Sequence, residues 1–564
     1  MIGRRDVSSG NTNGQGNGLF PEPGGRDAVN GRLVPAGRRL ALGLADSVVT
    51  MPLLRWTWRG QTDHAYAGDL PDFRPADREA VREMMSGRYL LASKLFETGG
   101  ASPFSLDVEH PDWWNNLHSF SWLRHFRDCR DPGEKLFART LVLDWIGREG
   151  QFEADSWTLT LTAQRVLNWL RHLTLVLDGA TPDQTRTIQR SLGTQVQSLR
   201  VRGPLAADPI EALFAAIGLL GAELCNLDDV PDIDTNVARL DALLAQQLDS
   251  DGLHLSRNPR QQLALLVELA SLRRAVGRHG SPAMAELTNR VDRMHEALDA
   301  LTLSSGEPVY FNGCGQVPHD VLVAVQANGP SASRRSRLIG GYGIVRAGDT
   351  VVIADSGLRP PPGFDGEAHD SALAFEFAHA SELVVGSCGP APSDLPESRD
   401  LFRQPVAHSA PTIDAEGPEH RQRRAAAPAM SIDTVEHMLT LTSAGYAQRY
   451  GVEIERRLTL LSGGTTLVGQ DRIVPAGEPR GMMSLRFHLA PGVKVRRTTG
   501  EGIARLVLPN GVTWSFLWEG AQFREEDSVR QSAYLGFHRT RQLVLETDVT
   551  NTTEVAWIFT LEQQ

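Results

Sequence analysis

Apolar residues recur at three- and four-residue steps from about Asp77 to Leu301. After Arg337 they recur at every second position, and the two patterns do not mix. A step of 3.6 is the period of a helix face and a step of 2 is the period of a pleated strand. A chain that writes its helices first and its strands second builds two separate domains. The helical stretches read Lys135–Ile146, Thr158–Leu177, Pro182–Val201, Pro209–Cys225, Ile233–Leu248, Pro259–Val276 and Ser281–Leu301. Thr181, Asp208 and Asn258 each stand directly before a proline, the pairing of a side-chain cap with a first helical residue that has no N–H to satisfy. Gln184, three residues after Thr181, completes a capping-box spacing. The connections are short and no strict repeat appears, so antiparallel helices in a bundle or ring are expected rather than a solenoid.

The second half consists of short alternating runs, among them Thr350-Val-Val-Ile-Ala, Ala372-Leu-Ala-Phe-Glu-Phe, Ser484-Leu-Arg-Phe-His-Leu and Val555-Ala-Trp-Ile-Phe, separated by Gly, Pro, Asn and Asp. That pattern predicts a large antiparallel sandwich, and Pro509-Asn-Gly predicts a tight hairpin within it. Residues 386–432, rich in Pro, Ser and Arg, read as a long loop able to fold over a cleft. The expected class is α+β multidomain, an N-terminal helical bundle or α/α toroid (an incomplete helical barrel) followed by a large antiparallel β-sandwich. The expected bounds are a disordered or extended tail at 1–60, the toroid at 61–310, a linker at 311–340 and the sandwich at 341–564.

A length of 564 residues exceeds what one core supports. The formal net charge of −11 argues against a nucleic-acid partner. An acidic glycan can still be met by local arginines such as Arg334–Arg335 or Arg421-Gln-Arg-Arg, which otherwise are solvated loop charges. Cys129, Cys225, Cys314 and Cys388 are scattered with no CxxC pair, so buried thiols are expected and a thiolate zinc cluster is not. The first 30 residues lack an apolar run after Arg4–Arg5, so no secretory signal is visible. Leu40–Leu54 is too short to span a membrane and carries Asp46 and Pro52. A cytoplasmic location is the default expectation, and the sequence is silent on oligomeric state.

Several segments, in order, resemble the bacterial heparinase II/III-like polysaccharide lyase family. Gly366-Glu-Ala-His-Asp-Ser-Ala-Leu-Ala-Phe-Glu-Phe is similar to a His-x-His-x-Asp-x-x-x-Phe-Glu signature that opens the sandwich. Arg399-Asp-Leu-Phe-Arg with Ala407-His-Ser is similar to an Arg…Phe-Arg…Ala-His-Asn segment. Asp251-Gly-Leu-His-Leu-Ser-Arg-Asn-Pro and Phe311-Asn-Gly match stretches of the helical half and its end. The resemblance implies toroid and sandwich, and β-elimination on uronate-containing polysaccharides such as glycosaminoglycans. That chemistry needs a neutralised carboxylate, a base for the adjacent proton and an acid for the leaving oxygen. The family also carries a structural zinc.

Residue by residue, the resemblance implies zinc ligands at His369 and His408. The family's third ligand, an aspartate, is Ser387 here, and the signature's aspartate is Ser371. The catalytic histidine of the signature is Glu367. The catalytic tyrosine is expected just after Asn258–Pro259, where Arg260-Gln261-Gln262 stands, and the neutralising Asn-His pair falls near Asp208–Pro209. The expected catalytic residues are therefore a variant set, Glu367, Tyr342 and His408. The expected substrate contacts are Arg257, Asn258, Asn312, Trp113, Trp114 and Arg165. Each has a plain alternative. Glu367 is otherwise a loop carboxylate, Tyr342 a packing residue at the domain junction, Asn258 a helix cap beside an exposed Arg257, and Asn312 a turn residue. Trp113, Trp114 and Arg165 are otherwise helix packing, and the two histidines are otherwise interface polar groups. The first functional reading is a polysaccharide lyase; a non-catalytic glycan-binding protein of envelope metabolism and a glycoside hydrolase pairing Glu367 with Asp208 or Asp365 stand beside it. The family often works in the periplasm or envelope.

Overall fold

The computed structural model describes residues 36–55, 65–68, 70–227, 232–277, 283–331, 334–419, 429–497 and 502–562. Its long helices run Pro132–Glu149, Leu159–Arg171, Pro182–Arg202, Pro209–Leu224, Ile233–Gln247, Pro259–Val276 and Met284–Ala300. The caps form as their side chains dictate. Thr181 and Gln184 close a full capping box, Asp208 accepts from Ile210 N–H, and Asn258 accepts from Arg260 N–H. The helix expected over Thr158–Leu177 breaks at His172, whose backbone leaves helical dihedrals, and continues as Leu173–Leu177. Gly218 lets Pro209–Leu224 lie close on Leu159–Arg171, since a Cβ there would sit 3.1 Å from that of Ala163. The helical core is rich in buried tryptophan, with Trp113, Trp122, Trp145, Trp157 and Trp169 all shielded from solvent.

Two features depart from expectation. A two-stranded hairpin, Arg88–Leu91 with Lys94–Glu97, interrupts the helical half. The proposed tail contains a helix, Ala36–Val49, which lies beside the turn Gly203–Leu205 and is fastened by Arg202 to Asp46 at 2.8 and 3.0 Å. The start of the tail, the first residues of the Ser281–Leu301 stretch and the Arg421-Gln-Arg-Arg cluster lie outside the described residues.

Among the described residues from Arg337 onward, the chain forms two large antiparallel sheets of nine and eight strands. Glu382–Gly386, Phe375–His379, Thr350–Asp355 and Tyr342–Ala347 are consecutive neighbours in the first. The second is centred on Glu554–Leu561, Thr466–Pro475 and Val452–Leu461. Pro509-Asn-Gly turns between Ile503–Val507 and Thr513–Glu519. Between the sheets Phe375, Phe377, Phe487, Phe516, Trp557 and Phe559 pack ring on ring, with Phe487 and Trp557 edge to face at 4.9 Å. A fully buried Arg456–Asp471 pair is satisfied on all sides, because Asp471 also accepts from the Trp557 indole at 2.9 Å. Cys129, Cys314 and Cys388 are buried free thiols, and Cys225 is buried as well.

The domains are bolted together by arginines from the sandwich. Arg346 donates to Thr302 O, Arg337 to Glu296 O, and Arg530 pairs with Glu307 while lying 3.6 Å from the Tyr310 ring centre.

Candidate functional site

A cleft of about 980 Å³ lies between the domains. Its toroid wall is the start of the helices Pro111–Ser119 and Pro259–Val276, which present Asp112, Asn116, Asn258, Arg260 and Gln261. Its sandwich wall is Glu367 and His369, the segment from Pro390 to Arg403, and the hairpin tip Gln531–Gly536. The part of the expected long loop within 390–403 therefore does form a cleft wall. Asp112, Asn116, Arg260 and Gln261 also line a second cavity of about 490 Å³, which reaches Arg74, Gln164, Asn168 and Glu268 inside the helical domain. The cleft mixes polar side chains with apolar ones such as Pro111, Val317, Pro390 and Pro392.

The charges of the cleft balance. Lys94, Arg260, Arg399 and Arg403 face it, and so do Asp112, Asp320, Glu367 and Asp394. Arg399 holds Glu367 in a short ion pair with both side chains half exposed. Lys94 lies 3.6 Å from Asp394 and Arg260 lies 3.8 Å from Asp112. Arg403 donates to Gly366 O. An Arg-dominated cleft, the expectation from sequence, is thus replaced by one of matched, solvent-accessible pairs.

Behind the cleft the structure gathers most of the residues expected to be catalytic, but as a buried lock. Arg257 adopts φ +56° at the end of the toroid loop, which sends its guanidinium into the sandwich. There it donates to Gly340 O at 2.7 Å, to Leu358 O, and to Asp355 Oδ1 at 2.7 Å, and it stacks 4.1 Å over the Tyr342 ring. Tyr342 is completely buried. Its hydroxyl donates to Arg257 O and accepts from Asn312 Nδ2, each at 2.7 Å. Burial raises its pKa further from neutrality, with Arg257 opposing. Asn312, at φ +50°, spends its other end on His369 N–H at 3.3 Å. Asn258 caps its helix and touches the cleft; Arg257, expected beside it at the substrate, faces the opposite way.

His369 lines the cleft, and its Nδ1 lies 3.2 Å from Nε2 of His408, which is completely buried. Burial, then the charge of Arg403, pulls His369 down to about 3; burial, then His369, pulls His408 well below its usual value. Both rings are therefore neutral at pH 7 and share one N–H···N bond. The donors do not fit a zinc ion: the third position is the hydroxyl residue Ser387, and among the described residues no group of three His, Cys, Asp or Glu could hold a metal.

Three expected substrate contacts point away from the cleft. Trp113 is completely buried and its indole donates to Tyr89 O at 3.0 Å. Trp114 stacks on His118 at 4.0 Å. Arg165 is completely buried and braces the helical core through Gln195, His118 O and Ser156 O, 4.1 Å over Trp145; burial pulls its pKa to about 9. Tryptophans among leucines at helical spacing serve the core here, which is the plain alternative. The cleft residues that sequence reasoning passed over are Arg260 and Gln261, Arg403 and the exposed Tyr534. Arg260 had a signal: it follows the cap at the position where the resemblance places a tyrosine.

Comparison with known proteins adds a frame. A family described as Heparinase II/III-like, C-terminal matches residues 330–558. The crystal structure of heparinase III superposes with a TM-score of 0.69 at 13% identity, covering 90% of this chain and 88% of that one. Heparan sulfate lyase HepC from Pedobacter heparinus gives 0.58 at 16% identity, covering 96% and 92%. FtsZ-localized protein C of Caulobacter vibrioides (strain NA1000 / CB15N) is 25% identical over 471 residues, 78% of this chain and 81% of that protein. At these identities the two lyase structures establish the shared fold.

Proposed function

We propose, from the match of residues 330–558 to the family described as Heparinase II/III-like, C-terminal and from the fold shared with heparinase III, that this chain binds a uronate-containing polysaccharide in the interdomain cleft without cleaving it. One observation carries the reading: the residues expected to do the proton work do not stand ready as bases in the cleft. The Tyr342 hydroxyl is buried with both of its hydrogen-bonding roles taken, and His408 is enclosed. Glu367 is committed to Arg399 on the exposed rim. His369 does reach the cleft as a neutral ring, but at about 3 it is too weak a base to draw a proton from beside a carboxylate. Binding remains within reach because exposed ion pairs are worth only about 0–1 kcal/mol. A uronate carboxylate can replace Asp112 at Arg260 or Glu367 at Arg399 at small cost, while Gln261, Gln316 and Asn116 meet hydroxyl groups. The Caulobacter relative is named for localisation with FtsZ, which supports placing this binding where FtsZ assembles. Zinc has no part in this reading, and metal analysis of the purified chain beside His369→Ala checks that.

The test is incubation with heparan sulfate and with other uronate glycans. The products are read for ultraviolet-absorbing unsaturated ends, and bound glycan is measured by calorimetry. Salt-sensitive binding with no unsaturated ends is expected. Unsaturated ends that disappear in His369→Ala would establish a lyase instead, and saturated ends would indicate hydrolysis.

A further inference from the structure

Six of the seven tyrosines are buried, whereas the seventh, Tyr534, exposes 62% of its surface and lines the cleft. It stands on the turn 533–535 between the paired strands Gln522–Ser532 and Gly536–Asp548. Among the described residues its hydroxyl makes no hydrogen bond and its ring stacks on no other ring. The turn itself is braced on two sides. Ala533 N–H donates to Gln316 Oε1 at 2.9 Å, and Gln316 N–H donates to Gln531 Oε1 at 2.8 Å. On the next strand Phe537 stacks on Phe402 at 5.1 Å with the rings 7° apart, which ties the hairpin to the short helix Arg399–Arg403. A braced turn has little freedom left to lose when a ligand arrives.

Two prolines border this hairpin. A Cβ on Gly536 would lie 3.8 Å from Pro392, and a Cβ on Gly315 would lie 2.9 Å from Pro390 and 2.6 Å from Gln531 Oε1. Neither 390–392 nor 531–536 contains a charged residue, while the ion pairs of the cleft belong to Arg399, Arg260 and Lys94. The face of an aromatic ring is the negative pole of its quadrupole, so it attracts the C–H hydrogens of a sugar and repels a carboxylate or a sulfate. We infer that Tyr534, with Pro390 and Pro392 bordering its hairpin, is an apolar subsite that stacks an uncharged pyranose ring. The glycan it takes therefore alternates a uronate with a neutral hexose or hexosamine. This rests on the glycan-binding reading above and names the part of the ligand that the ion pairs leave unread. The helix Arg399–Arg403 joins the two, because it presents Arg399 to a carboxylate and Phe402 to the hairpin.

Calorimetric titration of the full chain with an unsulfated oligosaccharide of alternating glucuronate and N-acetylglucosamine tests this. Tyr534→Ala should weaken binding about tenfold. The loss should be equal at low and high salt because no charge is removed, and the melting temperature should not change because the side chain is exposed. Tyr534→Phe should bind within about twofold of the parent, since the ring and not the hydroxyl makes the contact. Leu535→Ala, exposed beside it but outside the cleft lining, should bind as the parent does. An oligogalacturonate, which has no neutral ring to offer, should bind the parent at least about tenfold more weakly than the alternating chain. If the parent binds, three results would each overturn the subsite alone: undiminished binding by Tyr534→Ala, a Tyr534→Phe as weak as Tyr534→Ala, or an oligogalacturonate bound as tightly as the alternating chain. A parent that binds neither oligosaccharide would overturn the glycan reading itself, and the subsite with it.

Discussion

At the scale of single residues the account turns on which charged groups are buried and which are exposed. Arg257 and Asp355 are enclosed together, so removing one strands the other. Arg257→Met should cost about 3–5 kcal/mol in chemical denaturation; a loss below about 1 kcal/mol would mean that the guanidinium is not a lock between domains. Glu376 carries a different signature. It is completely buried with Oε1 on Tyr310 N–H, and burial pushes it up to about 7 against the pull of Arg530. A carboxyl raised from its ordinary 4.5 favours folding while protonated, and that contribution is lost as pH climbs through about 7. Glu376→Gln should therefore gain on the parent across pH 4.5–7, by about 3 kcal/mol in total, and parallel stability curves would refute the shift. Sequence reasoning named Arg257, Asn258, Tyr342, Glu367, His369 and His408 as site residues; Asn258, Glu367 and His369 line the cleft, while Arg257, Tyr342 and His408 lie buried behind it. It could not tell that Tyr342 faces inward, because a strand residue's exposure depends on what covers that strand.

At the scale of elements, caps and close approaches decide positions. Asn258 sets where Pro259–Val276 begins and hence where Arg260 and Gln261 meet the cleft. Asn258→Ala should cost about 1 kcal/mol of stability and weaken glycan binding, whereas Asn258→Asp should restore the stability. In the sandwich, a Cβ on Gly469 would lie 2.0 Å from the Trp557 ring. Gly469→Ala should therefore cost about 3 kcal/mol or more, and a neutral result would mean that the sheets are less tightly stacked than described. The helix starts at Thr181, Asp208 and Asn258, each cap followed by a proline, were legible because cap and proline are local signals. The helix Ala36–Val49 was not. It lies next to a Gly- and Asn-rich stretch, and its attachment rests on Arg202, more than 150 positions away.

At the scale of the molecule, helices then strands were readable from periodicity alone, and the groove between them followed. Its charge balance did not, since pairs such as Arg260–Asp112 and Lys94–Asp394 join positions far apart in the chain. Burial across both domains sets the acid limit. His118, His125, His254 and His369 are each pulled to about 3, and His488 to about 4. The unfolded chain takes up protons at such rings near 6.5, so stability should be full above that pH and fall as pH drops toward 3, as the urea midpoint would record. The central claim is a cleft that binds uronate through exchangeable ion pairs and performs no elimination. The affinity of Glu367→Gln for a uronate oligosaccharide tests it most directly. Removing the carboxylate that competes for Arg399 should tighten binding by up to about fivefold, with no unsaturated product from either protein. Weaker binding, or a parent activity that vanishes in Glu367→Gln, would contradict the account and make Glu367 a catalytic residue.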